Sequence, residues 1–198
     1  LLPSRLLLPA IMIRLPAHTA VYRLRAHLRR GGVVAYPTES SYGLGCLPGH
    51  SRGLRRLIRL KKRPQSKGLI SIGGDWAQLS PLLRPQNAAT KQILLQHWPA
   101  PKTYLLCARA GIPAALRGKG RSKLAVRIPD HAGARALCKR IGTALVSTSC
   151  NRAGKRACRS EREARRQFGR DVWVIGGRTG CRRAPSTIID WESGRVLR

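Results

Sequence analysis

Apolar residues in the segment 19–30 recur at helical spacing, with Val21, Leu24 and Leu28 on one face and Gly31-Gly32 following as a stop. That pattern predicts an amphipathic surface helix. The next run, Val33-Val34-Ala35-Tyr36, is β-branched and aromatic and ends at Pro37, so a strand is predicted that opens into the small-residue loop PTESSYGLGC. Leu54, Leu57 and Ile58 mark a helix ending before Pro64, and Leu69-Ile70-Ser71-Ile72 reads as a strand closed by Gly73-Gly74. The alternation repeats with a helix over 88–96, strands over 103–108 and 124–128, a helix over 132–140 and a strand over 144–147. Another helix is expected to begin near Ser160, which stands at capping-box spacing from Glu163, and short strands follow over 172–175, 187–190 and 195–197. Strands alternating with helices predict an α/β layer structure. No internal repeat or low-complexity linker divides the chain, so a single domain is expected over 19–198.

At 198 residues and 42% hydrophobic content, such a domain can bury a core without disulfides or metals. No uninterrupted apolar run approaches the roughly 20 residues that span a bilayer, which argues against a membrane-spanning helix and a membrane partner. The first residues, LLPSRLLLPAIMIRLPAHTA, imitate a short targeting segment, but Pro3, Pro9 and Pro16 interrupt it. Met12 is the only methionine and the helical pattern starts just after it. Residues 1–11 therefore read as an extension upstream of a normal start, with 1–18 outside the domain.

Charge changes the picture more than length does. Thirty-nine Lys and Arg against eight Asp and Glu give +31 at pH 7, a field that attracts polyanions. The cations are dispersed, from Arg25 through Arg84 and Arg140 to Arg183, so they point to no one groove. RNA or nucleotide contact and a lineage-wide bias toward basic residues both remain open as the source. The acids can be named in full: Glu39, Asp75, Asp130, Glu161, Glu163, Asp171, Asp190 and Glu192. They form no clustered motif for a two-metal centre or a glycosidase pair, so no protein metal site is expected. The six cysteines lack C-x-x-C spacing and zinc-finger histidines, which fits reduced thiols in a cytoplasmic protein.

Four polar loops remain as candidate chemistry: PTESSYGLGC, KKRPQSKG, STSCNRAG and APST. They combine hydroxyls or cations with Gly or Pro, the equipment for holding phosphates, and in open α/β sheets ligands bind beyond strand ends. Familiar nucleotide and hydrolase motifs are absent. There is no Walker A loop, Gly43-Leu44-Gly45 lacks the third glycine of a dinucleotide fingerprint, and neither G-x-S-x-G nor H-E-x-x-H occurs.

Taken in order, GGVVAYPTESSYGLGC, LKKRPQSKGLI, HWPAPKT, SKLAVRIPDH, ALVSTSCNRAG and RAPSTIID resemble the YrdC/TsaC family of threonylcarbamoyl-AMP synthases, from about Val21 to Arg198. The resemblance implies a twisted, mixed or mainly parallel sheet with flanking helices around a basic concave cavity. It implies a reaction joining L-threonine, bicarbonate and ATP into threonylcarbamoyl-AMP and pyrophosphate, with Mg²⁺ brought in by ATP. The product would pass to a separate transferase complex for tRNA modification. On the family's K-x-R and S-x-N patterns, Lys61, Arg63, Ser149 and Asn151 become the proposed catalytic group and ATP contacts, joined by Lys67. Thr38, Arg127 and Ser186 become threonine contacts, and Tyr42 and Leu44 line the nucleoside pocket or the core.

The chain departs from the family pattern at Ala100, where Gly is usual, at Lys102 in an apolar place, and at Cys150, which replaces an Ala between Ser149 and Asn151. It also stops just after the PST strand, as the short form of the family does. Two other readings stay open: an RNA-binding or ribosome-maturation factor using the same cavity, favoured by the charge, and an accessory carbamoyl-transferase module, which would need a partner domain or zinc-finger cysteines.

Overall fold

A computed structural model of the chain describes residues 18–198 apart from 63 and 65. The expected extension over 1–18 and the candidate Arg63 therefore lie outside the described residues, except that residue 18 opens the first helix. Eight strands form one mixed sheet. In chain order they are β1 (Val34–Pro37), β2 (Tyr42–Gly45), β3 (Ile70–Ile72), β4 (Lys102–Cys107), β5 (Lys123–Arg127), β6 (Leu145–Ser149), β7 (Trp173–Val174) and β8 (Thr187–Asp190). Their order across the sheet is β7-β1-β2-β6-β3-β5-β4-β8. The pairs β1/β7, β3/β5 and β4/β8 are parallel, and the remaining neighbours are antiparallel. The α/β expectation holds.

The longer helices form where the apolar spacing predicts them, and side chains cap several of their N-termini. They are α1 (His18–Arg29), α2 (Ser51–Lys61), α3 (Trp76–Leu79), α4 (Ala88–His97), α5 (Ala114–Arg117), α6 (Ala132–Ile141) and α7 (Glu161–Phe168). Ser160 caps α7 by accepting from the Glu163 amide, Asn87 does the same for α4, and His131 Nδ1 accepts from Ala134 at the start of α6. The C-terminus of α6 is closed by Gly142 in the left-handed region at φ 80°. Leu24 and Leu28 of α1 pack with Leu137 and Ile141 of α6 in one buried cluster. Leu54 and Leu57 of α2, Leu94 of α4 and Phe168 of α7 belong to a larger one.

Three expectations need correction. Residues 42–45 of the glycine-rich segment are not loop: they form β2, wholly buried and paired on both sides. Glycine serves here for close approach, since a Cβ on Gly45 would lie 2.3 Å from the Val146 carbonyl oxygen. The strand expected to end at residue 147 continues as β6 to Ser149, and the strand expected over 195–197 is reduced to a single bridge between Ile189 and Val196. The short helices α3 and α5 had no periodic signal.

Candidate active site

Lys61 is the last residue of α2 and falls on the same face as Leu54 and Leu57, so the helix carries an ammonium group inward, leaving the residue 8% exposed. Burying such a group demands acceptors. Its Nζ donates to the Ser149 carbonyl at 2.7 Å, the Asn151 carbonyl at 2.8 Å and Asn151 Oδ1 at 2.6 Å. Ser149 Oγ also donates to Asn151 Oδ1 at 2.8 Å, and Asn151 Nδ2 donates to the Lys155 carbonyl at 2.8 Å. The KKR and STSCN segments, far apart in the chain, thus meet at one point through neutral oxygens.

Ser149 lies on the wall of a cavity of about 330 Å³. Thr38, Arg127 and Ser186 line the same cavity, together with Tyr42, Ser40, Ser41, Ser147, Thr148 and Arg198. The wall is rich in hydroxyls, holds two guanidinium groups and contains no carboxylate among the described residues. Its parts are held from several elements. Thr38, just beyond β1, makes a tight turn in which both its amide and Oγ1 donate to the Ser41 carbonyl. Ser186, ahead of β8, accepts at Oγ from the buried Thr103 hydroxyl at 2.9 Å. A segment over 177–180 straps the Thr38 turn. Gly180 donates its amide to the Thr38 carbonyl at 2.9 Å, and a Cβ there would lie 2.6 Å from the Glu39 carbonyl oxygen. The Tyr42 hydroxyl donates to Gly177, and burial pushes its pKa up.

Arg127 ends β5 and is 7% exposed, with its Nη1 3.3 Å from Glu39 Oε1. Arg198 reaches the same cavity and donates from Nε and Nη2 to the Ser186 carbonyl at 3.3 and 3.2 Å. Burial first, and the charge of Arg127 second, pull its pKa down from the usual guanidinium value.

Of the residues singled out by sequence, Thr38, Arg127, Ser149 and Ser186 share this cavity, with Lys61 and Asn151 joined to it through Ser149. Lys67 does not line it. It borders a second cavity of about 220 Å³, lined also by Arg117, Arg121 and Lys123, which shares Leu69, Ile70 and Arg198 with the first. Leu44 is wholly buried core. Cys150 is also fully buried, and burial, followed by the neighbouring Cys158, raises its thiol pKa, so it behaves as core and not as a reactive group. Glu39 and Arg198 carried no signal of their own: one stands within a turn-rich segment, the other is one cation among many.

A family model described as "Telomere recombination", Sua5/YciO/YrdC, matches residues 26–198. The chain belongs to the Sua5/YciO/YrdC family. Among its relatives, one from Neisseria gonorrhoeae named threonylcarbamoyl-AMP synthase is 60% identical over 185 residues, covering 93% of this chain and 98% of that one. One of the same name from Chromobacterium violaceum is 51% identical over 185 residues, covering 93% and 95%. Among solved structures, P. abyssi Sua5 complexed with L-threonine superposes with TM-score 0.81 at 27% identity, covering 93% of this chain. The chain spans 55% of that Sua5's length. E. coli YciO gives TM-score 0.78 at 26% identity, covering 96% of this chain and 93% of its own. Membership bears out the resemblance read from the ordered motifs, and no described helix is long and apolar enough to cross a membrane.

Proposed function

We propose that this Sua5/YciO/YrdC protein is a threonylcarbamoyl-AMP synthase, forming threonylcarbamoyl-AMP and pyrophosphate from L-threonine, bicarbonate and ATP. The observation that carries the reading is the meeting of Lys61, Ser149 and Asn151 at the edge of a hydroxyl-lined cavity that also holds Arg127 and Ser186. The relatives at 60% and 51% identity bear that name, and the solved Sua5 holds L-threonine.

In this reading the threonine carboxylate pairs with Arg127, and the Thr38 and Ser186 hydroxyls take the polar groups of the amino acid. Bicarbonate and the amine condense to a carbamate with loss of water, a carbamate oxygen attacks the α-phosphate, and pyrophosphate leaves. The protein's contribution is alignment and neutralisation of developing phosphate charge. Lys61, oriented by its three short hydrogen bonds, and Asn151 lie beside the phosphates. Lys67 and the basic rim of the second cavity suit the triphosphate tail, and Arg198 stands between the two cavities. Arg63 joins them on the family's K-x-R pattern alone.

Among the described residues no cluster of three or more His, Cys, Asp or Glu could hold a metal, and the carboxylate of Glu39 is engaged by Arg127 and the Asp130 amide. The donor set fits Mg²⁺ entering as its ATP complex and not a dedicated cage. The product would go to a transferase complex acting on tRNA in the cytoplasm, and residues 1–18 would lie outside the domain. The charge of +31 favours direct tRNA contact, and it is the one observation favouring a binding factor without synthase chemistry. Mass spectrometry with isotopically labelled bicarbonate separates the two. The label appearing in threonylcarbamoyl-AMP supports the synthase, whereas its absence with folded, RNA-binding protein supports the factor.

A further inference from the structure

Glu39 belongs to the same PTE turn as Thr38 but is not among the residues lining the cavity, and it is 5% exposed. Its Oε1 accepts from the Asp130 amide at 2.8 Å and from Arg127 Nη1 at 3.3 Å. Among the described residues, the bond to Glu39 is the only side-chain hydrogen bond of Arg127, whose Nε is buried without a partner, as is Glu39 Oε2. A buried guanidinium with one anchor takes its orientation from that anchor, and an uncompensated buried charge is costly. Arg127 also shares the cavity with a second cation, Arg198. The Asp130 amide fixes Glu39 in turn, tying the β1–β2 turn to the segment that follows β5.

We propose that Glu39 is a positioning residue for the amino-acid substrate: its buried carboxylate holds Arg127 in the cavity wall in the orientation that receives the substrate carboxylate. The inference rests on the assignment of Arg127 as the carboxylate partner. It predicts an effect confined to threonine, since Glu39 touches none of the groups placed near the phosphates.

The test is the KM for threonine and for ATP in pyrophosphate release, measured for Glu39→Ala, Glu39→Gln and Arg127→Lys in the full chain. Glu39→Ala is expected to raise the threonine KM about tenfold or more while the ATP KM stays within about twofold. Glu39→Gln, which keeps an acceptor for both Arg127 and the Asp130 amide, is expected to restore the threonine KM to within about threefold of the parent. An unchanged threonine KM in Glu39→Ala, or an equal rise in both KM values, overturns the proposal. Should Glu39→Ala fail to fold, Glu39→Asp decides, because withdrawing the carboxylate by one methylene must raise the threonine KM alone. Arg127→Lys separates the two layers. If it leaves the threonine KM unmoved, the assignment of Arg127 fails; if it raises that KM while the Glu39 variants do not, only the positioning role fails.

Discussion

Replacing Lys61 by Met separates the chemistry of its ammonium group from its packing. Methionine keeps an unbranched aliphatic stem on the buried face of α2 but removes the donor to three acceptors at 2.6–2.8 Å. Each hydrogen bond to a charged group is worth about 1.5–3 kcal/mol, but burying an ammonium costs several kcal/mol that the variant recovers. The two opposing quantities are of similar size, so the net change in stability is expected to be about 1–2 kcal/mol, well within what a domain of this length tolerates. Catalysis has no such compensation. Loss of a preorganised cation beside the transferring phosphate is expected to lower kcat/KM for ATP about a hundredfold or more. Urea unfolding gives the first quantity and pyrophosphate release under saturating threonine and bicarbonate the second. A folded Lys61→Met protein keeping about a third or more of parental activity would refute the placement of Lys61 at the phosphates.

Other outcomes follow from single contacts. Thr103→Val removes the hydroxyl that donates to Ser186 Oγ, and steady-state kinetics should show the threonine KM rising about three- to tenfold with ATP affinity little changed. Gly45→Ala forces a Cβ against the Val146 carbonyl, and thermal melts should show a loss of about 2–3 kcal/mol or failure to fold. His131 caps α6 through an accepting Nδ1 and is paired at Nε2 with the Arg178 carbonyl at 3.0 Å, an arrangement of the neutral ring. Burial lowers its folded pKa. The unfolded chain therefore binds the proton more readily, so this contribution is complete above about pH 6.5 and is lost as pH falls through the lower folded value. Urea midpoints should drop on acidification through that window, and His131→Asn, which can still cap the helix, should flatten the dependence.

The longer helices and the Ser160 cap were legible because their signals are local. Ser160 with Glu163 and Leu54 with Leu57 each act within a turn or two of chain. The failure at β2 has a physical cause: Gly43 and Gly45 read as loop because the sequence cannot distinguish glycine needed for flexibility from glycine needed for close backbone approach. Lys61 could be singled out only by its motif, since among the cations of α2 it differs from Arg59 by one feature, the face on which it falls. Arg198 and Glu39 were invisible as site residues because their roles depend on contacts made across the fold, to Ser186 and to Arg127. Nothing in the structure explains why Ala100 replaces the family's glycine.

The central claim is tested most directly by pyrophosphate release from ATP, measured with L-threonine and bicarbonate supplied together and with each withheld. The account predicts release that requires both and that falls when Lys61 or Asn151 is replaced. Release that proceeds without threonine, or no release from folded protein with both substrates present, would contradict it.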